Sequence, residues 1–192
     1  MPGSEGELTE WTVDGERVRT LPDLLAPGLR LLFVGFNPSV RAARLGHYYA
    51  GRNNRFWDLL AASGLTPRRL AFTEDRSLLE LGIGITDLVK RPTRSAAEVT
   101  PGEYRLGVER LRGIVRELRP RVVCYNGKGV YLHACRAPAA PWGRQPGSLV
   151  EGTVDFVAPS PSGLARIPFA VKAARYTELR LLLEALEEEG ER

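Results

Sequence analysis

The chain has 192 residues, 43% of them hydrophobic and 26% charged, which suits one folded domain with a buried core rather than a disordered segment or a long repeat array. Its apolar runs are too short for a bilayer-spanning helix, and the opening MPGSEGELTEW lacks the basic-then-apolar layout of a signal peptide. A net charge of +4 is compatible with a polyanionic partner without requiring one, while two cysteines and two histidines supply neither a disulfide framework nor a zinc or iron–sulfur ligand set. The expectation is therefore a cytoplasmic (nucleoid-associated), metal-free protein with no cofactor and no membrane partner.

In chain order, residues 1–22 read as an extension and 23–192 as the single domain. Within the extension, Asp14-Gly15 between Thr12-Val13 and Arg17-Val18 is a hairpin signal. After Pro27-Gly28 comes a continuous apolar run, 29–34, interrupted only by Arg30, which reads as a strand buried on both faces. Further strands are expected at 83–86, 121–125 and 153–158. Between them lie helical patterns. Residues 55–62 are stopped by Gly64. A helix through residue 118 is opened by the capping box Thr100-Pro101-Gly102-Glu103, with Leu106, Leu111, Ile114, Val115 and Leu118 expected inside. The last helix spans roughly 170–188, with Tyr176, Leu179, Leu183 and Leu186 at helical spacing. This alternation implies an α/β fold: a three-layer α/β/α sandwich around a mainly parallel sheet of about four strands.

In such sheets ligands bind beyond the C-terminal strand ends, so the loops following the strands carry the candidates. The first is Gly35-Phe36-Asn37-Pro38-Ser39, which is neither a dinucleotide nor a triphosphate loop. Asn37 there either satisfies a turn or presents an amide to a ligand. The second strand is followed by Asp87, which is placed for chemistry, for capping a turn, or for pairing with Lys90 or Arg91. The fourth leads into Pro159-Ser160-Pro161-Ser162-Gly163-Leu164-Ala165-Arg166, a proline-stiffened loop whose Leu164 either tucks into the core or acts as a wedge between stacked bases. Six arginines, Arg41, Arg44, Arg52, Arg55, Arg68 and Arg69, crowd the stretch after the first core strand.

At these loops the sequence resembles the mismatch-specific uracil-DNA and thymine-DNA glycosylase family of the uracil-DNA glycosylase superfamily. The likeness runs in order from Leu25-Ala26-Pro27-Gly28 through Gly35-Phe36-Asn37-Pro38-Ser39, Gly46-His47-Tyr48-Tyr49-Ala50, Asn54-Arg55-Phe56-Trp57, Gly84-Ile85-Thr86-Asp87-Leu88-Val89, Arg91-Pro92-Thr93, Gly127-Lys128 and Trp142-Gly143 to Pro161-Ser162-Gly163-Leu164. The resemblance implies an enzyme that flips uracil, or a related pyrimidine, out of a mispair with guanine in double-stranded DNA and hydrolyses its N-glycosidic bond, acting as a monomer.

Carried over position by position, it gives Asn37 the active-site role. Tyr49 becomes the base-stacking aromatic, with Phe36 beside the base, and Gly163, Leu164, Ala165 and Arg166 form the segment that intercalates and faces the opposite base. Lys128 and Ser162 are candidate phosphate contacts; Lys128 reads equally as a surface lysine, and core packing is the alternative for Tyr49. Phe36 and Ser39 stand where the family usually has Ile and Gly, Ser160 stands where its second motif has Asn, and a carboxylate at the position of Asp87 is not a family feature. An amide cannot take a proton from water, whereas a carboxylate can, so Asp87 joins Asn37 as a catalytic candidate. A non-catalytic mismatch-binding module and a small-molecule nucleoside hydrolase remain as alternatives.

Overall fold

The computed structural model describes residues 10–13 and 15–190. A short antiparallel hairpin, β1 (Glu10–Val13) and β2 (Glu16–Arg19), opens the described chain. Gly15 takes the left-handed conformation its turn needs, with φ +78°, and Asp14 lies outside the described residues. The hairpin rests on the remainder of the chain through the buried Val18 and a bond from Trp11 Nε1 to Thr20 Oγ1.

The core sheet has the order β4-β3-β5-β7-β6. Strands β3 (Leu31–Gly35), β4 (Ile83–Asp87), β5 (Val122–Asn126) and β7 (Val154–Ala158) run parallel, and the two-residue β6 (Gly143–Arg144) adds an antiparallel edge beside β7. The sheet therefore has five strands rather than four. In β6 only pairing defines the strand, since two residues carry no hydrophobic period. Alternation along β3 divides the core: Leu31 and Phe33 face one apolar cluster, Leu32 and Val34 the other.

Helices cover both faces. Helix α2 (Phe56–Ser63) and α5 (Phe169–Gly190) pack over the first cluster through Phe56, Leu59, Tyr176 and Leu179. Helix α3 (Pro101–Leu118) and α4 (Lys128–Cys135) cover the second through Val108, Leu111, Val115 and Val130. Helix α3 opens at the capping box, with Glu103 N donating to Thr100 Oγ1 at 3.3 Å and Thr100 N donating to Glu103 Oε2 at 2.8 Å.

Leu106 corrects one expectation, because it is 75% exposed. With Leu111 and Val115 inside, helical phase brings 107 and 108 inward and turns 106 outward. The inward place belongs to Gly107, where a β-carbon would strike the Leu88 carbonyl.

Among the described residues the short elements are α1 (Val40–Leu45), capped by Ser39 Oγ accepting from Ala42 N at 3.1 Å, and two 3-10-helical stretches, Phe72–Leu81 and Ala96–Glu98. In chain order the sheet grows from β3 to β4 on one side, then crosses to β5 on the other. Such a reversal leaves a crevice beyond the strand ends.

Candidate active site

A cleft of about 190 Å³ lies in that crevice, lined among others by Gly35, Phe36, Asn37, Tyr49, Asp87 and Asn126. Pockets for drug-sized ligands measure about 300–1,000 Å³, so this cleft suits something nearer a single base. Each strand that reaches it ends in a polar residue or hands over to one: β3 to Asn37, β4 in Asp87 and β5 in Asn126.

Asn37 is held from behind. Its Nδ2 donates to the Arg91 carbonyl at 2.8 Å and to Thr93 Oγ1 at 2.7 Å, while Thr93 passes its own proton to the Ser95 carbonyl at 2.8 Å. Both amide protons are thus spent on the chain, and Oδ1 is the atom left to accept from a water or a base. The loop itself is paired to the segment after β4: Leu88 N donates to Gly35 O, Val89 N to Phe36 O and Thr93 N to Pro38 O. The Asn37 amide thus bonds across to the segment after β4 rather than to its own turn. Ser39, where glycine is usual in the related family, serves as the N-cap of α1.

Asp87 pairs in register with Gly35, and its side chain crosses the glycine: a β-carbon there would lie 2.1 Å from Asp87 Oδ1. The carboxyl is 4% exposed, and its Oδ2 has no hydrogen-bond partner among the described residues. Burial raises its pKa to about 7, with Asp23 adding to the rise and Lys90 and Arg110 opposing it. The two cations that the sequence offers as ion-pair partners for Asp87 are bonded to other carboxylates. Lys90 Nζ pairs with Asp23 Oδ1 at 2.7 Å, and Arg91 forks onto Glu103 at 2.5 and 3.0 Å. Behind the strand end, Asp23 accepts from Thr86 Oγ1 at 2.7 Å and Arg110 at 2.5 Å, and Arg110 also donates to the Asp87 carbonyl. Burial disfavours the charge of Asp23, yet Lys90 and Arg110 outweigh it and hold its carboxyl below the usual range.

Tyr49 sits on a loop pinned by the buried Asp75, which accepts from Tyr48 N at 3.1 Å and contacts His47 Nδ1 at 3.1 Å. Its backbone is left-handed at φ +53°, its ring stacks on Phe56 at 3.9 Å, and its hydroxyl accepts from Asn126 Nδ2 at 2.7 Å. Phe36 lines the cleft with its ring edge-on to Tyr104 and His133.

At the rim stands the loop after β7. Ser162 lines the cleft, its carbonyl accepting from the buried Lys172 Nζ at 3.0 Å and its hydroxyl from Leu164 N at 3.2 Å. Gly163 lies against Asn53, whose Cβ and carbonyl would meet an added β-carbon at 2.7 and 2.8 Å. Beyond it Leu164 is 89% exposed and so not part of the core, with the exposed Arg166 two residues on and Ala165 half-buried between them. Lys128 lies away from the cleft lining, its ammonium 4.6 Å from the Trp142 ring centre. Of the crowded arginines, Arg44, Arg55, Arg68 and Arg69 already have carboxylate partners; Arg52 is exposed.

Asn126 escaped sequence reasoning, although it carries the signal that singled out Asp87, a polar residue at the end of a core strand. Thr93 escaped because its partner lies 56 positions away.

A three-layer α/β/α protein with a base-sized polar cleft at its switch point and an exposed apolar tip on the rim has the build of a nucleic-acid base-processing enzyme. The uracil DNA glycosylase superfamily profile matches residues 22–187, and the chain belongs to that superfamily. Membership implies DNA glycosylase chemistry, hydrolysis of an N-glycosidic bond in DNA as a step of base-excision repair. Among solved structures the fold is similar to a solution NMR structure from Methanosarcina acetivorans, provisionally named a uracil DNA glycosylase. The two share 21% sequence identity over 86% of this chain and 97% of that one, with a TM-score of 0.61. No helix among the described residues is long and apolar enough to cross a membrane.

Proposed function

We propose that the chain is a monofunctional, mismatch-specific uracil-DNA glycosylase that flips uracil, or a related damaged pyrimidine, from a pair with guanine and hydrolyses its glycosidic bond. The observation that carries the reading is the convergence of Asn37, Asp87 and Tyr49 in one base-sized cleft. Leu164 stands on its rim, 89% exposed.

A base inside a duplex is out of reach, so the nucleotide leaves the stack at a cost of a few kcal/mol, which a mispair lowers. Leu164 fills the vacated space, Arg166 faces the widowed guanine, and Ser162 and Lys128 meet backbone phosphates. The extruded base enters between Phe36 and Tyr49. Cleavage sends the C1′–N1 electron pair to the base and leaves an oxocarbenium-like sugar. Asn37 Oδ1 accepts from the attacking water and orients it, and Asp87, when ionised, takes the water's proton as oxygen bonds to C1′. The carboxylate also stabilises the sugar cation in a site largely closed to solvent. The protein acts as a monomer on double-stranded DNA in the cytoplasm.

A panel of duplexes tests this, with uracil, thymine, etheno-cytosine or hydroxymethyluracil opposite guanine or adenine, alongside free deoxyuridine. Alkali-sensitive sites opposite guanine support the reading. Binding without any cleavage would indicate a mismatch-binding module, and cleavage of the free nucleoside alone a small-molecule hydrolase.

A further inference from the structure

Asn126 closes β5 on the sheet face of Phe33 and Cys124, against which Phe56 of α2 and Tyr176 of α5 pack, and it is 6% exposed. A primary amide next to an apolar cluster is costly unless its hydrogen bonds are made. Two tyrosines from distant parts of the chain make them. Tyr176 OH, fully buried on α5, donates to Asn126 Oδ1 at 2.9 Å, and Asn126 Nδ2 donates to Tyr49 OH at 2.7 Å.

The bonds run from Tyr176 through the amide to Tyr49. Tyr176 gives its only hydroxyl proton to the amide oxygen, and the amide nitrogen faces Tyr49. Tyr49 oxygen is then an acceptor, and its own proton remains to be given elsewhere. As a donor the hydroxyl makes no hydrogen bond among the described residues. The hydroxyl has little freedom to choose a direction, because the ring is stacked on Phe56 and the backbone is held at φ +53°.

Gly35 shows where that hydroxyl stands. A β-carbon built on it would lie 3.4 Å from Tyr49 OH and 2.1 Å from Asp87 Oδ1. The two oxygens thus flank one point, close enough for a single water to bridge them. Burial, reinforced by the nearby Asp87, keeps the Tyr49 hydroxyl protonated well above the ordinary tyrosine range.

We infer that Asn126 is a positioning residue: through the Tyr49 hydroxyl it directs one hydrogen bond, across the bare Cα of Gly35, onto the water that Asp87 activates. The inference rests on the glycosylase reading above. In the reaction the water gives its proton to Asp87 and its oxygen to C1′, while the base departs with the C1′–N1 pair. The Tyr49 proton is donated as a hydrogen bond and is not transferred. Tyr49 would thus do two jobs, its ring for the base and its hydroxyl for the water.

A double-mutant cycle across pH 5 to 9 tests it, using single-turnover excision from a guanine–uracil duplex with Tyr49→Phe, Asn126→Asp and the pair. Tyr49→Phe keeps the ring and removes the hydroxyl. Asn126→Asp keeps an acceptor for Tyr176 but draws the Tyr49 proton away from the water. Each is expected to lower the plateau rate about tenfold, the kinetic equivalent of one hydrogen bond, with duplex affinity and the pH limb of Asp87 retained. The double variant is expected to be no slower than either single. Multiplying losses, or an impaired Asn126→Asp beside an unimpaired Tyr49→Phe, would overturn the inference while leaving the glycosylase reading intact. A wild-type chain that cuts no uracil duplex would overturn both.

Discussion

The carboxylate of Asp87 lies across the Cα of Gly35, so the absence of a side chain on β3 is what admits the acid from β4 to the cleft. The register that pairs the two residues makes the approach obligatory, and no rotamer of an alanine at 35 avoids it, since its β-carbon is fixed by the backbone. Gly35→Ala is expected to fold but to displace the carboxylate and lower single-turnover excision by at least tenfold. Combined with Asp87→Asn it should add little further loss. Full activity in Gly35→Ala would mean that the position of this carboxylate is immaterial.

Asp87 itself gives a signed pH prediction. As a general base it must be ionised, so the rate should rise as pH passes through about 7 and then level. Asp87→Asn should remove that limb and cost about a hundredfold at the plateau. Stability moves the opposite way. A carboxyl whose folded pKa is raised from 3.8 to about 7 contributes stability below 3.8, and this is lost as pH climbs through 7. The gap corresponds to roughly 4 kcal/mol at most. Asp87→Asn should therefore melt higher than wild type at pH 8 and close to it at pH 4. A mutant that is slow but no more stable at pH 8 would contradict the burial argument; one that is stabilised yet fully active would contradict the catalytic one.

For Asn37→Ala the expected result is retained duplex binding with loss of most cleavage, on the order of a hundredfold. Thr93→Val removes one of the two anchors of the amide and should produce a smaller loss of the same kind, in rate rather than affinity. Gel-shift affinities measured beside single-turnover rates would show it. Equal losses in binding and rate would make Asn37 a binding residue only.

Leu164→Ala should impair excision from double-stranded DNA far more than from a single strand, since a wedge acts only where a base must be replaced in a stack. Its 89% exposure means the substitution leaves the core untouched, so melting should not change. Equal losses on both substrates would remove the wedge assignment.

The four parallel strands are legible because each is a short apolar run between turn residues, and α3 because a capping box with Pro101 opens a run of apolar residues at helical spacing. Strand β6 is not, because it exists only through pairing with β7. Leu106 was misplaced because leucines were counted without helical phase. Of the residues lining the candidate cleft, Asn37, Tyr49 and Asp87 stand out in the sequence by position or by resemblance. Their supports do not: Thr93 and Asn126 act on partners 56 and 77 residues away, and the lack of a β-carbon at Gly35 matters only once register is known. Local periodicity reports elements, whereas the anchoring of a site is tertiary.

The most direct measurement follows both products of one reaction on a guanine–uracil duplex with excess protein: free uracil by mass spectrometry, and the treated strand before and after alkali. Free uracil should appear in equal amount to an intact abasic strand that breaks only on alkali treatment. A strand that still carries its uracil after prolonged incubation, or one nicked without release of the base, would contradict glycosidic hydrolysis by this chain.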